Sequence, residues 1–217
     1  MSDSALIIRP YDPQDRTMVR TISLATAMMG EPSSRFFDGD DLLADLLTRY
    51  HTDFEPQSSF IAESEGKVVG YVIGATDIRR AAQISLFKIV LPVLFKALVT
   101  GAFLRKKNRL LLGQVIPFAS SGGFGMPDFD REYPATLHIN VLNGYRKLGA
   151  GSALMRAYLG LLSSKGVRGV HMATMSNMAG EFFAKNGFHL LFQGRRPYFR
   201  HLTGLDVPLL VYGKKLI

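Results

Sequence analysis

Cysteine is absent from the 217 residues, which removes disulfides, thiolate nucleophiles and cysteine-held zinc from consideration. That absence fits a reducing compartment. The opening stretch MSDSALIIRPYDPQD lacks a basic patch followed by an apolar run, so it does not read as a signal peptide, and the cytoplasm is the expected location. Acidic residues are missing altogether from Ile78 to Pro127. The same segment holds Arg79, Arg80, Lys88, Lys96, Arg105, Lys106, Lys107 and Arg109, and the other 18 Lys and Arg are matched by 18 Asp and Glu. The net charge of +8 therefore sits in one segment, interleaved with long apolar runs, and a nucleic-acid partner is not expected.

Two phosphate-binding signatures are also missing. No Gly-Lys-Ser/Thr occurs anywhere, so a Walker loop is excluded. Gly149 and Gly151 have no third glycine at the spacing of a dinucleotide fingerprint, and the residues about 20 positions on, Gly169 to His171, include no acid. A nicotinamide or nucleoside-triphosphate site is disfavoured, and no metal site is expected.

What is present is a chain with 47% hydrophobic residues, able to bury a sizeable core and read as one domain over 1–217 with an insertion at about 78–127. Residues 5–9, ALIIR, read as a first strand, with Asp12 or Asp15 placed to cap the helix that follows. A second helix follows FDGDD, with Leu42, Leu43, Leu46 and Leu47 on one side. Phe60 to Ala62, a turn at Glu65-Gly66, and the β-branched run from Val68 to Ala75 form the clearest hairpin. From Tyr133 onward the order is strand (ATLHINVL), glycine turn, helix from about Gly149 to Ser164, strand (GVHMAT), short helix (AGEFFAKN) and two final strands. The fold class is α/β with a mixed sheet.

The insertion contains ISLFKIVLPVLFKALVTGAFL followed by RKKNR. Its length approaches that of a membrane span, but Lys88, Lys96 and Pro92 interrupt it. Two readings stand: a helix pair covering a hydrophobic groove of the domain, or a basic amphipathic element over 82–109 that makes peripheral contact with an anionic membrane. Exposed apolar surface there would also serve a homodimer. SSGGFGMPDFD, after it, reads as a mobile glycine-rich loop.

The strand-to-helix turn carries Arg146-x-x-Gly149-x-Gly151. Amides from about Lys147 to Ser152 can converge on a pyrophosphate there, with the positive end of a helix behind them, and Arg146 or Lys147 can add charge. Here the sequence resembles the GNAT N-acetyltransferase superfamily, whose acetyl-CoA signature is R/Q-x-x-G-x-G/A at this location. NMAGEFFAKNGF, Asn177 to Phe188, is similar to the family's N-x-x-A-x-x-φ-Y-x-x-x-G-F segment at the expected spacing. Within the superfamily, YPATLHINVL resembles the YPAHLHID stretch of the acetyltransferase-like domain associated with O-GlcNAcases and its bacterial relatives.

The resemblance implies a splayed central pair of parallel strands flanked by helices, with acetyl-CoA as cosubstrate. Its contacts would come from Val141, Leu142, Arg146, Lys147, Leu148, Gly149, Ala150, Gly151, Ser152, Asn177 and Phe183, with the backbone of Asn140 to Leu142 pairing like a missing strand partner. It also implies direct transfer of an acetyl group to an amine, either of a small molecule or of a peptide. The alternative is a CoA-binding, catalytically degenerate interaction module. The family tyrosine that assists the departing thiolate falls at Phe183, which cannot donate a proton, so Tyr145, Tyr198 or Ser176 would have to substitute, or the thiolate would leave unaided. For the base, His138 and Asn140 lie two apart on one face of their strand, opposite Leu137, Ile139 and Val141. Asp130, Glu132, His171, Arg195, Arg196 and Tyr198 are weaker site candidates.

Overall fold

The hairpin is the frame on which the sheet is built, in a computed structural model that describes residues 6–146 and 148–217. After β1 (Leu6–Pro10), strands β2 (Ser59–Ser64) and β3 (Lys67–Ala75) turn at Glu65 and Gly66, both at positive φ. Later strands are β4 (Ala135–Val141), β5 (Gly169–Thr174), β6 (His189–Arg196) and β7 (Val207–Lys215). Helices α1 (Arg16–Ala25) and α2 (Asp40–Arg49) precede the hairpin, while α3 (Ile78–Ser85), α4 (Leu91–Val99) and α5 (Lys106–Ser120) follow it. Helices α6 (Ala150–Ser164), α7 (Asn177–Lys185) and the short α8 (Arg200–Thr203) alternate with the later strands. Among the described residues, seven strands form one sheet in the order β1-β2-β3-β4-β5-β7-β6.

Strand alternation sends side chains to two separate cores. On one face, Tyr71 and Ile73 of β3 and Ile61 of β2 pack on Val19 and Ile22 of α1. On the other, Val72, Leu137, Val170 and Met172 pack on Leu154, Met155, Tyr158 and Leu162 of α6 and Phe183 of α7. A bulge in β3, where the register with β2 jumps from Ala62↔Gly70 to Glu63↔Val68, reverses the alternation, so that Val69 joins the core of Val72 and Val68 joins that of Tyr71 and Ile73.

The decisive feature is a fork. β4 pairs with β3 from Gly70↔Val141 to Ala75↔Thr136, and β5 pairs with β7 from Gly169↔Lys215 to Thr174↔Leu210. Between them, the parallel β4–β5 pair has only the partners Ala135↔Val170 and Thr136↔His171. Each strand is thus held by its outer neighbour while the two part from each other. His171 Nδ1 lies 2.7 Å from the Tyr133 carbonyl, which ties the closed end.

Asp12 and Asp15 form a reciprocal capping box on the turn Pro13–Asp15 that leads into α1: Asp12 accepts from the Gln14 amide, and Asp15 accepts from the Asp12 amide as well as from Arg9. The insertion forms a helix pair. A π-helical turn, Leu86–Val90, joins α3 and α4 into one 22-residue helix, Ile78–Val99, just before Pro92, whose missing N–H disrupts regular α pairing. Ala81, Ile89, Val93 and Ala97 pack on Leu42, Tyr50 and Ala75. Buried Asn108 of α5 stitches the pair down: it accepts from the Asp38 amide at 2.8 Å and donates to the carbonyls of Asp38 (2.7 Å) and Ala102 (2.9 Å). The glycine-rich loop, expected to be mobile, is anchored at its start. Buried Arg196 donates to the Gly123 carbonyl and lies over the rings of Phe118 and Phe124.

Tyr158 closes the end of the β3–β4 ladder. Its hydroxyl donates to the Thr136 carbonyl at 2.7 Å and approaches the Ala75 carbonyl at 3.2 Å, and a Cβ added at Gly74 would lie 2.2 Å from it. Tyr158→Phe is expected to lower stability by about 1–2 kcal/mol, by leaving these carbonyls short of a donor. Gly74→Ala should cost about 1–3 kcal/mol by overpacking. Denaturant unfolding measures both, and a neutral Gly74→Ala would mean the tyrosine has room to move.

Candidate functional site

The fork opens into a cleft of about 540 Å³ that runs through the sheet. Its walls come from β4 (Leu137 to Val141), β5 (Met172 to Thr174), the starts of α6 and α7, and residues at the end of α1 and beyond it. The Leu142 amide is bonded to the Val69 carbonyl at 2.9 Å. Because a trans peptide directs its N–H and C=O to opposite edges, the Val141 carbonyl points away from β3 and toward the cleft. By strand alternation the N–H and C=O of Ile139 do the same, and neither residue has a register partner on β5. The cleft-facing backbone is therefore that of Ile139 and Val141. Leu142, expected to share in this edge, is already paired with β3 and packs its side chain toward α1.

At one mouth of the cleft lies the glycine turn. Gly149 adopts φ 83°, a left-handed conformation that favours glycine, and leads into α6 with no side chain capping the helix start. The amides of Ala150, Gly151 and Ser152 are those a helix leaves without internal partners. A Cβ at Gly151 would stand 3.2 Å from the Phe182 ring of α7, so the bare glycine lets the two helices meet beside the cleft. Arg146 lines the cleft, but its Nε donates to the Val141 carbonyl at 3.0 Å and its guanidinium lies beside Gly30. Gly149, Gly151, Ser152 and Phe183 also line the cleft. Leu148 is exposed outside it and Ala150 is buried behind it. Lys147 lies outside the described residues.

Counted back from Gly187-Phe188, the asparagine of the second motif falls on Ser176, one residue before Asn177. Ser176 lines the cleft and caps α7, its Oγ accepting from the Ala179 amide at 3.4 Å, while Asn177 is exposed and lines nothing there. Phe183 is 4% exposed, packed on Phe182, Phe188 and Tyr212. Of the hydroxyls considered in its stead, only Ser176 reaches the cleft wall. Tyr145 packs in the core, and Tyr198 meets Phe118 and Phe199 edge to face with its hydroxyl 3.9 Å from the Met175 sulfur.

At the other side stand His138 and Asn140, on one face of β4 as their spacing requires. The His138 side chain is exposed to the cleft, yet protein atoms crowd around it, and this partial desolvation lowers its pKa below the ordinary imidazole value. The ring is therefore neutral near neutrality and able to accept a proton. Asn140 Nδ2 donates to the Tyr71 hydroxyl at 2.7 Å, and Tyr71 in turn bonds Ser23 of α1, forming a polar thread across an otherwise apolar wall. Close to His138 is His51, whose pKa is lowered to about 4, chiefly by burial and further by the charge of His138. Nearby Glu55 accepts from Tyr50 (2.8 Å), Ser58 (2.7 Å) and the Thr76 amide (2.9 Å). Burial opposes ionisation of Glu55, but these donors outweigh it and lower its pKa.

The weaker candidates serve the frame. His171 holds Tyr133, Asp130 pairs with Arg79, Glu132 pairs with Lys215, and Arg196 sits in its aromatic cage. Sequence reasoning missed the acceptor-side lining: Ser23, Thr26, Ala27, Met29 and Leu47, joined by Met172, Met175 and Met178. None of these residues carries a recognisable spacing. No Asp or Glu lines the cleft among the described residues.

The architecture has known counterparts. The model of the Acetyltransferase (GNAT) family matches residues 25–188. The solved structure of SsHAT is 25% identical with a TM-score of 0.72, over 98% of this chain and 99% of that one. The Drosophila melanogaster polyamine N-acetyltransferase, which forms N-acetylagmatine, is 15% identical with a TM-score of 0.60, over 97% and 100% of the two chains. The yncA protein of Salmonella typhimurium, solved with its cofactor acetyl-CoA, is 12% identical with a TM-score of 0.56, over 98% and 95%. No curated protein matches the sequence. The match across residues 25–188 takes in the second helix, the hairpin, the fork and both motifs, and on it this chain belongs to the GNAT acetyltransferase family.

Proposed function

We propose that this chain transfers the acetyl group of acetyl-CoA directly to the amine of a small acceptor with an apolar body. The observation that carries the reading is the fork itself: β4 backbone without a strand partner along one wall, an uncapped helix start at one mouth and a neutral histidine on the opposite face. These features fit the cosubstrate. The Ile139 and Val141 backbone matches the amides of a pantetheine arm, and the amides of Gly151 and Ser152 suit a diphosphate. Arg146 is available to add charge if it releases the Val141 carbonyl. When bound, acetyl-CoA would supply a thioester carbonyl, to whose carbon the acceptor nitrogen would bond as the C–S bond breaks, the departing thiolate taking up the second proton that nitrogen loses.

The chain's own residues have three tasks. His138 takes the proton that the acceptor ammonium must lose, directly or through water. Asn140, held by Tyr71 and Ser23, orients the acceptor beside it. Ser176 is the hydroxyl on the cleft wall nearest in sequence to the position of the family tyrosine, and a thiol with a pKa of about 8.5 leaves tolerably without strong help. The acceptor's body is inferred from the lining. With methionines, Leu47 and Ala27 and no carboxylate among the described residues, the cleft suits a flexible apolar group better than a polycation.

Three outcomes test this. Gly151→Asp should weaken acetyl-CoA binding by at least about tenfold by calorimetry, since it crowds Phe182 and sets a negative charge where the diphosphate sits. Crowding of Phe182 should lower the melting temperature, offset in part by an acid at a helix start, and an unchanged circular-dichroism spectrum checks that the variant is folded. Unchanged affinity would remove the diphosphate assignment. His138→Gln should lower kcat/KM by about 10²-fold or more. The wild-type profile should lose activity on acidification only below the ordinary imidazole value of 6.5, as the lowered pKa requires, and that limb should vanish in the variant. A limb that persists would assign the base elsewhere. Thiol release with hexylamine and phenethylamine should exceed that with spermidine. The reverse order would overturn the apolar acceptor, and no release with any amine would favour a CoA-binding module.

A further inference from the structure

The long helix of the insertion has two apolar stripes, and the fold uses only one. Ala81, Ile89, Val93 and Ala97 meet Leu42, Tyr50 and Ala75. Phe87, Leu91, Leu94, Phe95 and Leu98 recur at helical spacing on another side and face solvent, with Phe87, Phe95 and Leu98 exposed by 65%, 69% and 68%. Only 17% of the helix's most apolar window is buried. Single exposed apolar side chains are ordinary, but a contiguous stripe of five large ones marks a contact surface.

The charges around the stripe identify the contact. Lys88 and Lys96 stand on the same helix, and Lys106 and Arg109 follow it; all four are exposed and none has a carboxylate partner among the described residues. No acid occurs within the whole of 78–127. Two copies joined through this face would bring unneutralised lysines together. An anionic lipid surface would instead neutralise them while the phenyl and leucyl groups enter its acyl boundary. A transmembrane course is opposed by the helix's own anchorage: the buried stripe, the Asp77 side chain accepting from the amides of Arg79 and Arg80, and Asn108 behind it hold the segment along the domain. Lysines beside an apolar stripe can extend to the headgroups while their stems stay in contact with it.

We propose that the Ile78–Val99 helix docks the protein peripherally on an anionic bilayer, lying in the interface plane through Phe87, Leu91, Leu94, Phe95 and Leu98, with Lys88, Lys96, Lys106 and Arg109 on the headgroups. This surface is separate from the acetyl-transfer cleft and does not depend on the acceptor reading.

The test is sedimentation of the full chain with vesicles of phosphatidylcholine alone or mixed with phosphatidylserine. Binding should favour the anionic vesicles by about tenfold or more and weaken as salt rises. The triple variant Phe87→Ser, Phe95→Ser, Leu98→Ser and the double variant Lys88→Glu, Lys96→Glu should each reduce binding to anionic vesicles by about tenfold or more. An unchanged thermal shift with acetyl-CoA checks that both variants are folded. Equal binding to both vesicle types, or full binding by the folded triple variant, would overturn the proposal. So would a solution dimer that the triple variant dissociates, because the stripe would then belong to a second copy.

Discussion

Two central strands that share two register pairs and then part are the constraint on which this molecule rests. A parallel pair normally continues for its whole length, because unpaired backbone inside a fold is costly. Here separation is stable because each strand is fully bonded on its outer side, β4 to β3 and β5 to β7. The closed end is fastened by His171 on the Tyr133 carbonyl and by Tyr158 on the Thr136 carbonyl. The sheet can therefore keep backbone groups free where a ligand can use them.

Strand β4 divides the work between its main chain and its side chains. The edge of Ile139 and Val141 turns its backbone to the cleft, the Val141 carbonyl there accepting from Arg146, while His138 and Asn140 present side chains on the face toward α1. The elements that complete each half come from different parts of the chain. The start of α6 and the flank of α7 meet the edge, and α1, α2 and the residues following them meet the face. Arg146 bridges the two halves, bonded to Val141 on one side and lying against Gly30 on the other. The His138 side chain is open to the cleft, and the protein crowded around the cleft lowers its pKa.

What was legible in the sequence was local. The Glu65-Gly66 hairpin, the glycine turn before α6 and the alternation of His138 and Asn140 depend on neighbours in the chain, and each forms where its spacing puts it. The family resemblance supplied the fork, which no local pattern announces. Side-chain partnerships formed across the fold were not legible. Asn140 meets Tyr71 across 69 positions, and Arg196 meets Gly123 across 73. Nothing in PDFD told that Asp130 would bind Arg79, or in GVHMAT that His171 would be occupied with a carbonyl. The one-residue slip between Ser176 and Asn177 has another origin: counting back from Gly187-Phe188 already places the first motif position on Ser176, and the hydrogen bond from the Ala179 amide marks that residue as the cap.

The cleft-facing edge of β4 has a consequence for how such a chain drifts over generations. Peptide groups are common to every residue except proline, so a grip made by Ile139 and Val141 through their backbones places little demand on which side chains they carry. Under the proposed grip, substitutions along that edge would be limited by what packs against α6 more than by the cosubstrate. The demand on side-chain identity would then shrink to a few glycines and one helix start, and the walls facing the proposed acceptor could be rebuilt without disturbing the hold on the donor.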